Sequence, residues 1–119
     1  MNDQTAAASL LSDTANNDLA YWKLEINHFP DGITIRPIDS FWNLVNIHWN
    51  PKAGKWDVYE SIPDVAKGFD SYDEKLFAAG CNHFQAINRA KELLMQFGYT
   101  APRGVIEPSE GTMLRPNYN

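Results

Sequence analysis

Residues Ser40–Asn50 have the sequence SFWNLVNIHWN. If they form a β-strand, the alternation of their side chains between two faces determines how the rest of the chain can be arranged. Successive side chains of a β-strand point to opposite faces of a sheet. As a strand, this stretch places Phe41, Val45, Ile47 and Trp49 on one face and Trp42, Leu44, Asn46 and His48 on the other. The first face can form a core. The second face also carries a tryptophan and a leucine, so it needs a covering segment or a binding partner.

Three further segments have the alternation and composition of strands: Ala20–Asn27 (AYWKLEIN), Ile33–Arg36 and Lys55–Glu60. Between the first two lies Phe29–Gly32, FPDG, which is typical of a tight turn because proline presets φ and glycine accepts a positive φ. Asn50–Gly54, NPKAG, is typical of a hairpin loop. Connections this short join antiparallel neighbours, so the middle of the chain is predicted to be an antiparallel meander of about four strands.

Two helical patterns follow Pro63. Ser71–Glu74, SYDE, has the spacing of a capping box and predicts a short helix from Tyr72 to Ala79. Lys75–Ala79 is alternatively one more strand, because short apolar runs suit either structure. Residues 82–97, NHFQAINRAKELLMQF, predict a longer helix that is capped by Asn82 and ends at Gly98. Its apolar stripe consists of Phe84, Ala86, Ile87, Ala90, Leu93, Leu94 and Phe97.

The longer helix needs an apolar surface to cover, and one face of the meander provides it. We therefore expect an α+β fold with two layers, in which the C-terminal helix packs on one face of the antiparallel sheet. The expected core side chains of the sheet are Trp22, Leu24, Ile26, Ile33, Ile35, Val45, Ile47, Trp49, Trp56 and Val58. A chain of 119 residues with 44% hydrophobic residues suffices for one such core.

Both ends of the chain are interpreted as tails around a single domain of residues 19–98. Residues 1–18 are rich in Ala, Asn, Asp, Ser and Thr, which bury too little apolar surface to offset the entropy of ordering, so a flexible N-terminal tail is expected. Residues 99–119 contain three prolines and no periodicity, so an extended C-terminal tail is expected.

The net charge and the composition limit the cellular compartments and the classes of binding partner that are expected. The formal net charge of -5 argues against general affinity for nucleic acid, which depends on Lys and Arg neutralising phosphates. The single cysteine, Cys81, cannot form an internal disulfide, and the N-terminus lacks the pattern of a secretory signal. No apolar run approaches the roughly 20 residues of a membrane span. The sequence therefore predicts a small soluble cytoplasmic domain that does not associate with membranes.

The second sheet face is the predicted binding surface, because Trp and Tyr are enriched at binding hot spots. Its candidate partner-binding residues are Tyr21, Lys23, Arg36, Trp42, Leu44, His48 and Tyr59. Two alternatives compete with a foreign partner. One of the tails can fold back over Trp42 and Leu44, or the face can be a contact between two copies of the chain.

The sequence does not identify a reaction. Phosphate-binding glycine loops and the hydrolase elbow G-x-S-x-G are absent from the printed sequence. Cys81 and His83 lie close in the sequence, but residues two apart on a helix do not face each other, and a lone cysteine is usually a small buried apolar group. The acidic residues Asp70, Asp73 and Glu74 suit a helix N-terminus. Together with Asp64 they alternatively form an acidic edge that meets a basic partner and speeds association. We therefore assign no catalytic residue, metal site or cofactor.

The resulting hypothesis is a small acidic, non-catalytic protein-interaction module that acts by binding another protein, as inhibitors, immunity-type proteins and accessory subunits do. The alternative is a module for single-stranded nucleic acid on the same face. In that alternative Lys23, Arg36 and Lys55 neutralise phosphates while Trp42 stacks on a base. It ranks below the first hypothesis because Glu25 and other carboxylates interrupt the basic residues.

Overall fold

The computed structural model describes residues 3–99, which form two helices and five strands. In chain order they are α1 (Asp3–Asp18), β1 (Leu24–Phe29), β2 (Gly32–Pro37), β3 (Val45–Asn50), β4 (Lys55–Pro63), β5 (Tyr72–Cys81) and α2 (His83–Gln96). The strands form one antiparallel sheet in the order β1-β2-β3-β4-β5. The predicted α+β fold, with an antiparallel sheet and a C-terminal helix packed on it, is confirmed.

The two short connections of the meander lie where the sequence predicts them. Pro30 and Asp31 link β1 to β2, and a loop closed by a hydrogen bond from Gly54 N to Asn50 O links β3 to β4. Besides its role in the turn, Gly32 is required for steric reasons. A Cβ at this position would lie 1.8 Å from the carbonyl oxygen of Ile47 in β3. The absence of a side chain at Gly32 therefore lets β3 approach β2 closely enough to pair with it.

The core lies between the sheet and the helices. Its fully buried sheet residues come from the central strands: Ile33, Ile35, Val45, Ile47, Trp56 and Val58. Trp22 is also buried, whereas Leu24, Ile26 and Trp49 are partly buried against the core. The sequence therefore identified the core face of the sheet correctly.

Helix α2 begins and packs as the sequence predicts. Asn82 caps it in a reciprocal capping box, in which Asn82 accepts from Gln85 N and the Gln85 side chain accepts from Asn82 N. Its buried residues are Ala86, Ile87, Ala90, Leu93 and Leu94. The two aromatic residues predicted at the ends of the stripe differ from the prediction, since Phe84 and Phe97 are both exposed.

The prediction of a flexible tail is wrong for residues 3–18, which form α1. Leu11 and Ala15 of this helix are fully buried, and Leu19 beyond its end is buried too. Polar contacts also fix α1 in place, since Gln4 donates to the carbonyl of Pro30 and Ser12 Oγ lies 2.9 Å from His28 Nδ1. The helix packs against α2 and the edge of the sheet formed by β1 and β2.

The predicted short helix between Tyr72 and Ala79 is also wrong, and the alternative of one more strand is correct. β5 pairs with β4 from Tyr72 to Cys81, which makes five strands instead of about four. The capping-box pattern at Ser71–Glu74 does not cap a helix, because Glu74 lies inside this strand. Its side chain instead makes long-range contacts with Asn46 and His48 of β3.

The predicted C-terminal tail lies almost entirely outside the described residues. Tyr99, the last of them, packs against the core and donates its amide hydrogen to the carbonyl of Leu94. Neither helix within residues 3–99 is long and apolar enough to cross a membrane.

The packing of α1 can be tested with two adjacent leucines. Leu11 is fully buried and Leu10 is 48% exposed. We expect Leu11→Ala to lower the free energy of unfolding by about 2–5 kcal/mol, because it removes buried methyl groups and leaves a cavity. Leu10→Ala should cost less than about 1 kcal/mol. Urea unfolding followed by tryptophan fluorescence measures both, and equal small losses would mean that α1 does not belong to the core.

Candidate binding site

The open face is the side of the sheet opposite the helices. The cross-strand register places on it Glu25, Asn27, Thr34, Arg36, Asn46, His48, Asp57, Tyr59, Glu74 and Leu76. These side chains are mostly polar, as expected for the uncovered face of an antiparallel sheet. The face is therefore a polar surface, and its shape depends on how β5 lies against the central strands.

Glu74 connects the edge strand β5 to the central strand β3. Its backbone pairs with Ser61 of β4, yet its Oε2 accepts hydrogen bonds from Asn46 Nδ2 at 2.7 Å and from His48 Nε2 at 2.6 Å. The side chain thus reaches across β4. Register irregularities between Trp56 and Tyr59 accompany this arrangement, and such bulges bend and twist a strand pair.

Asn46 is fully buried although it points to the open face. Its Nδ2 is satisfied by Glu74, whereas its Oδ1 is buried with no hydrogen-bond partner among the described residues. A buried amide that loses its remaining partner is costly. The carboxylate of Glu74 is therefore the group that makes a buried asparagine tolerable at this position.

His48 and Tyr59, two of the predicted site residues, lie side by side on this face. Their ring centroids are 5.3 Å apart, and 41% of the His48 side chain is exposed. Burial raises the pKa of the Tyr59 phenol, and the nearby carboxylates of Asp57 and Glu74 raise it further. Tyr59 is therefore a neutral hydroxyl group at physiological pH.

The predicted site residues Arg36, Tyr21 and Lys23 lie in different parts of the structure. Arg36 lies on the open face, where its Nε and Nη2 both lie 3.1 Å from Glu25 Oε1. Tyr21 and Lys23 precede β1 and are exposed, and Lys23 has a positive φ of 56°. These three residues do not converge with His48 and Tyr59 on one aromatic platform.

Trp42 and Leu44 do not belong to a strand, because β3 begins at Val45. Their predicted positions on the sheet face are therefore wrong. Leu44 packs against the core, while its backbone bonds to Ile35 and to Ser61. Trp42 lies in the loop that joins β2 to β3 and is partly buried.

An exposed aromatic cluster forms where the β2–β3 loop meets the β4–β5 loop. We call Phe41, Trp42 and Phe69 the aromatic end. Phe41 lies 5.4 Å from Trp42 in an edge arrangement and 5.4 Å from Phe69, measured between ring centroids. Phe41 is 57% exposed and Phe69 is 79% exposed, and the same loops expose Ile38 and Val65. Contiguous exposed apolar groups of this kind mark interaction sites.

Sequence reasoning did not find Phe41 and Phe69 as site residues. Strand parity assigned Phe41 to the core, and Phe69 belonged to no periodic pattern. The available signal was the presence of large apolar side chains between Pro37 and Val45 and between Pro63 and Tyr72, in segments with no regular element to bury them.

The surroundings of the aromatic end are acidic. The two loops and the start of β5 carry four carboxylates and one amine: Asp39, Asp64, Asp70, Asp73 and Lys67. Lys67 Nζ lies 2.9 Å from Asp73 and 3.5 Å from Asp64. The hydrogen bond with Asp73 raises the pKa of Lys67 and lowers that of Asp73. Four carboxylates thus accompany a single amine, so negative charge predominates around the aromatic end.

No hydrogen bond joins the side chains of Cys81 and His83 within residues 3–99. Cys81 is buried, and burial raises the pKa of its thiol, which disfavours the reactive thiolate. The ring of His83 instead stacks near Phe84, with centroids 4.4 Å apart. In the same described range, no three His, Cys, Asp or Glu side chains are grouped as metal ligands.

No protein-family model, no curated protein and no solved structure matches this chain. A fold by itself does not imply a function, because unrelated activities share the same architectures.

The role of Glu74 can be tested by removing its carboxylate. We expect Glu74→Ala to lower the free energy of unfolding by about 1–3 kcal/mol, because Asn46 Nδ2 loses its buried acceptor. Glu74→Gln keeps an acceptor oxygen and should lose less. Glu92→Ala, which removes an exposed helix carboxylate, should change the free energy by about 0.5 kcal/mol or less. Urea unfolding of the three variants provides the comparison, and an equal effect of Glu74→Ala and Glu92→Ala would contradict the assigned role.

Proposed function

We propose that this protein is a non-catalytic protein-interaction module that binds another protein through its aromatic end. The observation that carries the proposal is the exposed contact between Phe41 and Phe69, two rings supplied by different loops. Large aromatic side chains contribute much contact area for little loss of rotamer entropy, so they dominate protein interfaces. Roles as an inhibitor, an immunity-type protein or an accessory subunit all agree with such a surface.

The negative charge around the aromatic end favours a partner protein with a basic surface. Asp39 and Asp70 carry no ion pair within the described residues, and Asp64 and Asp73 share a single lysine. A complementary partner presents an apolar centre surrounded by Lys or Arg side chains. The same carboxylates repel phosphate groups, which supports a basic protein surface over nucleic acid as the ligand.

Only some of the residues predicted from the sequence belong to the proposed interface. Trp42 remains a candidate contact residue, since its ring lies against Phe41 in the aromatic end. Arg36 and His48 are engaged by Glu25 and Glu74, so binding through them would break internal contacts. The proposed interface is therefore centred on the two loops, at one end of the sheet.

The proposal is tested by capture of partners from the native lysate with single-residue variants. Phe41→Ala and Phe69→Ala each remove an exposed ring, and we expect each to weaken partner binding at least tenfold, about 1.4 kcal/mol. Phe84→Ala is the matched control, because Phe84 is also an exposed aromatic residue but lies on α2. We expect the wild-type protein and Phe84→Ala to capture the same partner protein in equal amounts. Phe41→Ala and Phe69→Ala should both fail to capture it.

Three outcomes would contradict the proposal. The first is a captured protein that both loop variants retain. The second is recovery that disappears after nuclease treatment, since this indicates a nucleic-acid ligand. The third is self-association of the purified protein in sedimentation that Phe69→Ala abolishes, because the aromatic end would then join two copies of this chain. Thermal unfolding of each variant verifies that the fold is retained.

A further inference from the structure

A recess on the open face is separate from the aromatic end and has its own chemistry. It has a volume of about 310 Å³, at the lower end of the range for ligand pockets. Side chains from four strands and two connecting segments line it: Asn27, Phe29, Asp31, Thr34, Asn43, His48 and Tyr72. Tyr72 belongs to β5 and Asn27 to β1, so residues of both edge strands of the sheet line this recess. The open face is therefore concave here.

The polar groups of the recess have unused hydrogen-bonding capacity. The side chains of Asn27, Thr34 and Asn43 are each partly buried, and none of them makes a hydrogen bond within the described residues. An amide offers both donors and an acceptor, and a hydroxyl group offers one donor and an acceptor. Partly buried polar groups that converge without protein partners are suited to a ligand that both donates and accepts.

His48 adds a fixed polar group to the recess. Its Nε2 donates to Glu74 at 2.6 Å, and this contact holds the orientation of the imidazole. The other ring nitrogen, Nδ1, makes no hydrogen bond within residues 3–99. Glu74 thus acts as a positioning residue for His48, in the way that a hydrogen-bonded neighbour orients a binding side chain.

The charges of the recess limit the class of ligand. Its lining contains no Lys or Arg, and its one carboxylate is that of Asp31. An anionic ligand would find no lysine or arginine there. The rings of Phe29 and Tyr72 are about half exposed and provide apolar surface next to the amides.

From these observations we propose that the recess binds a neutral, hydroxyl-rich ring, namely a single monosaccharide unit. Hydroxyl groups both donate and accept, which matches the amides of Asn27 and Asn43 and the hydroxyl of Thr34. The apolar C–H groups of a sugar ring suit the aromatic surface of Tyr72. The volume accommodates one ring rather than a chain. This binding activity is independent of the proposed protein interface.

The test uses the whole protein and a panel of simple sugars. Two-dimensional ¹H–¹⁵N NMR follows titration with glucose, galactose, mannose and N-acetylglucosamine, with glucose 6-phosphate as the anionic comparison. We expect at least one neutral sugar to shift the side-chain amide signals of Asn27 and Asn43 with a Kd of about 1–10 mM. Glucose 6-phosphate should bind more weakly than glucose.

Two variants and one control assign the site. Asn27→Ala and Thr34→Val should each weaken binding at least about fivefold, because each removes a hydrogen-bonding group from the recess. Asn88→Ala changes an exposed asparagine on α2 and should leave the affinity unchanged. Three results would overturn the proposal: no shift with any neutral sugar up to about 50 mM, stronger binding of the phosphate ester, or binding that both recess variants retain.

Discussion

The contact between the carboxylate of Glu74 and the β3 side chains Asn46 and His48 constrains the whole open side of the molecule. Because β3 directs Val45 and Ile47 into the core, strand alternation forces Asn46 and His48 onto the other face. That face would be an ordinary solvated surface if β5 stayed flat beside β4. Glu74 instead reaches across β4 to β3, so Asn46 becomes buried and the face becomes concave.

The core and the candidate binding surfaces are thus separated by the sheet. Both helices cover one side, and their stabilising contribution comes from buried aliphatic side chains, so no helix of residues 3–99 covers the other side or the loop end. The aromatic end illustrates this division. Its rings lie in loops that connect β2 to β3 and β4 to β5, and loops held by a rigid sheet commonly carry binding residues.

Local sequence patterns correctly predicted the strands and the helix that have clear side-chain periodicity and clear turn or cap residues. The strands β2 to β4 follow from alternation and turn residues, and α2 follows from its stripe and the cap at Asn82. The helix α1 escaped detection because its composition suggested a tail, and Leu11 is the one large apolar side chain that it buries within the described residues. Its apolar residues Ala7, Ala8, Leu11 and Ala15 do recur at helical spacing, and Leu19 continues the pattern just beyond the helix.

Local sequence rules failed at β5 and at the site for two physical reasons. The pattern at Ser71–Glu74 satisfies the local rule for a helix start, but Glu74 finds its partners 26 and 28 residues away on β3. No local pattern reveals such a contact. Phe41 was assigned inward by parity because the start of β3 was placed five residues too early, at Ser40 instead of Val45. The sequence therefore indicated that an aromatic surface exists but not where its rings meet.

Exchange of the Asn46 side-chain amide is the measurement that tests this account most directly. Nδ2 is buried and donates to Glu74, so its protons should persist in D₂O on the timescale of the backbone amides of β3. The amide of Asn50, which is partly exposed and bonds to Asp57, should exchange faster and serves as an internal reference. Equally fast exchange of Asn46 and Asn50 would show that Glu74 does not close over β3 and would contradict the concave open face.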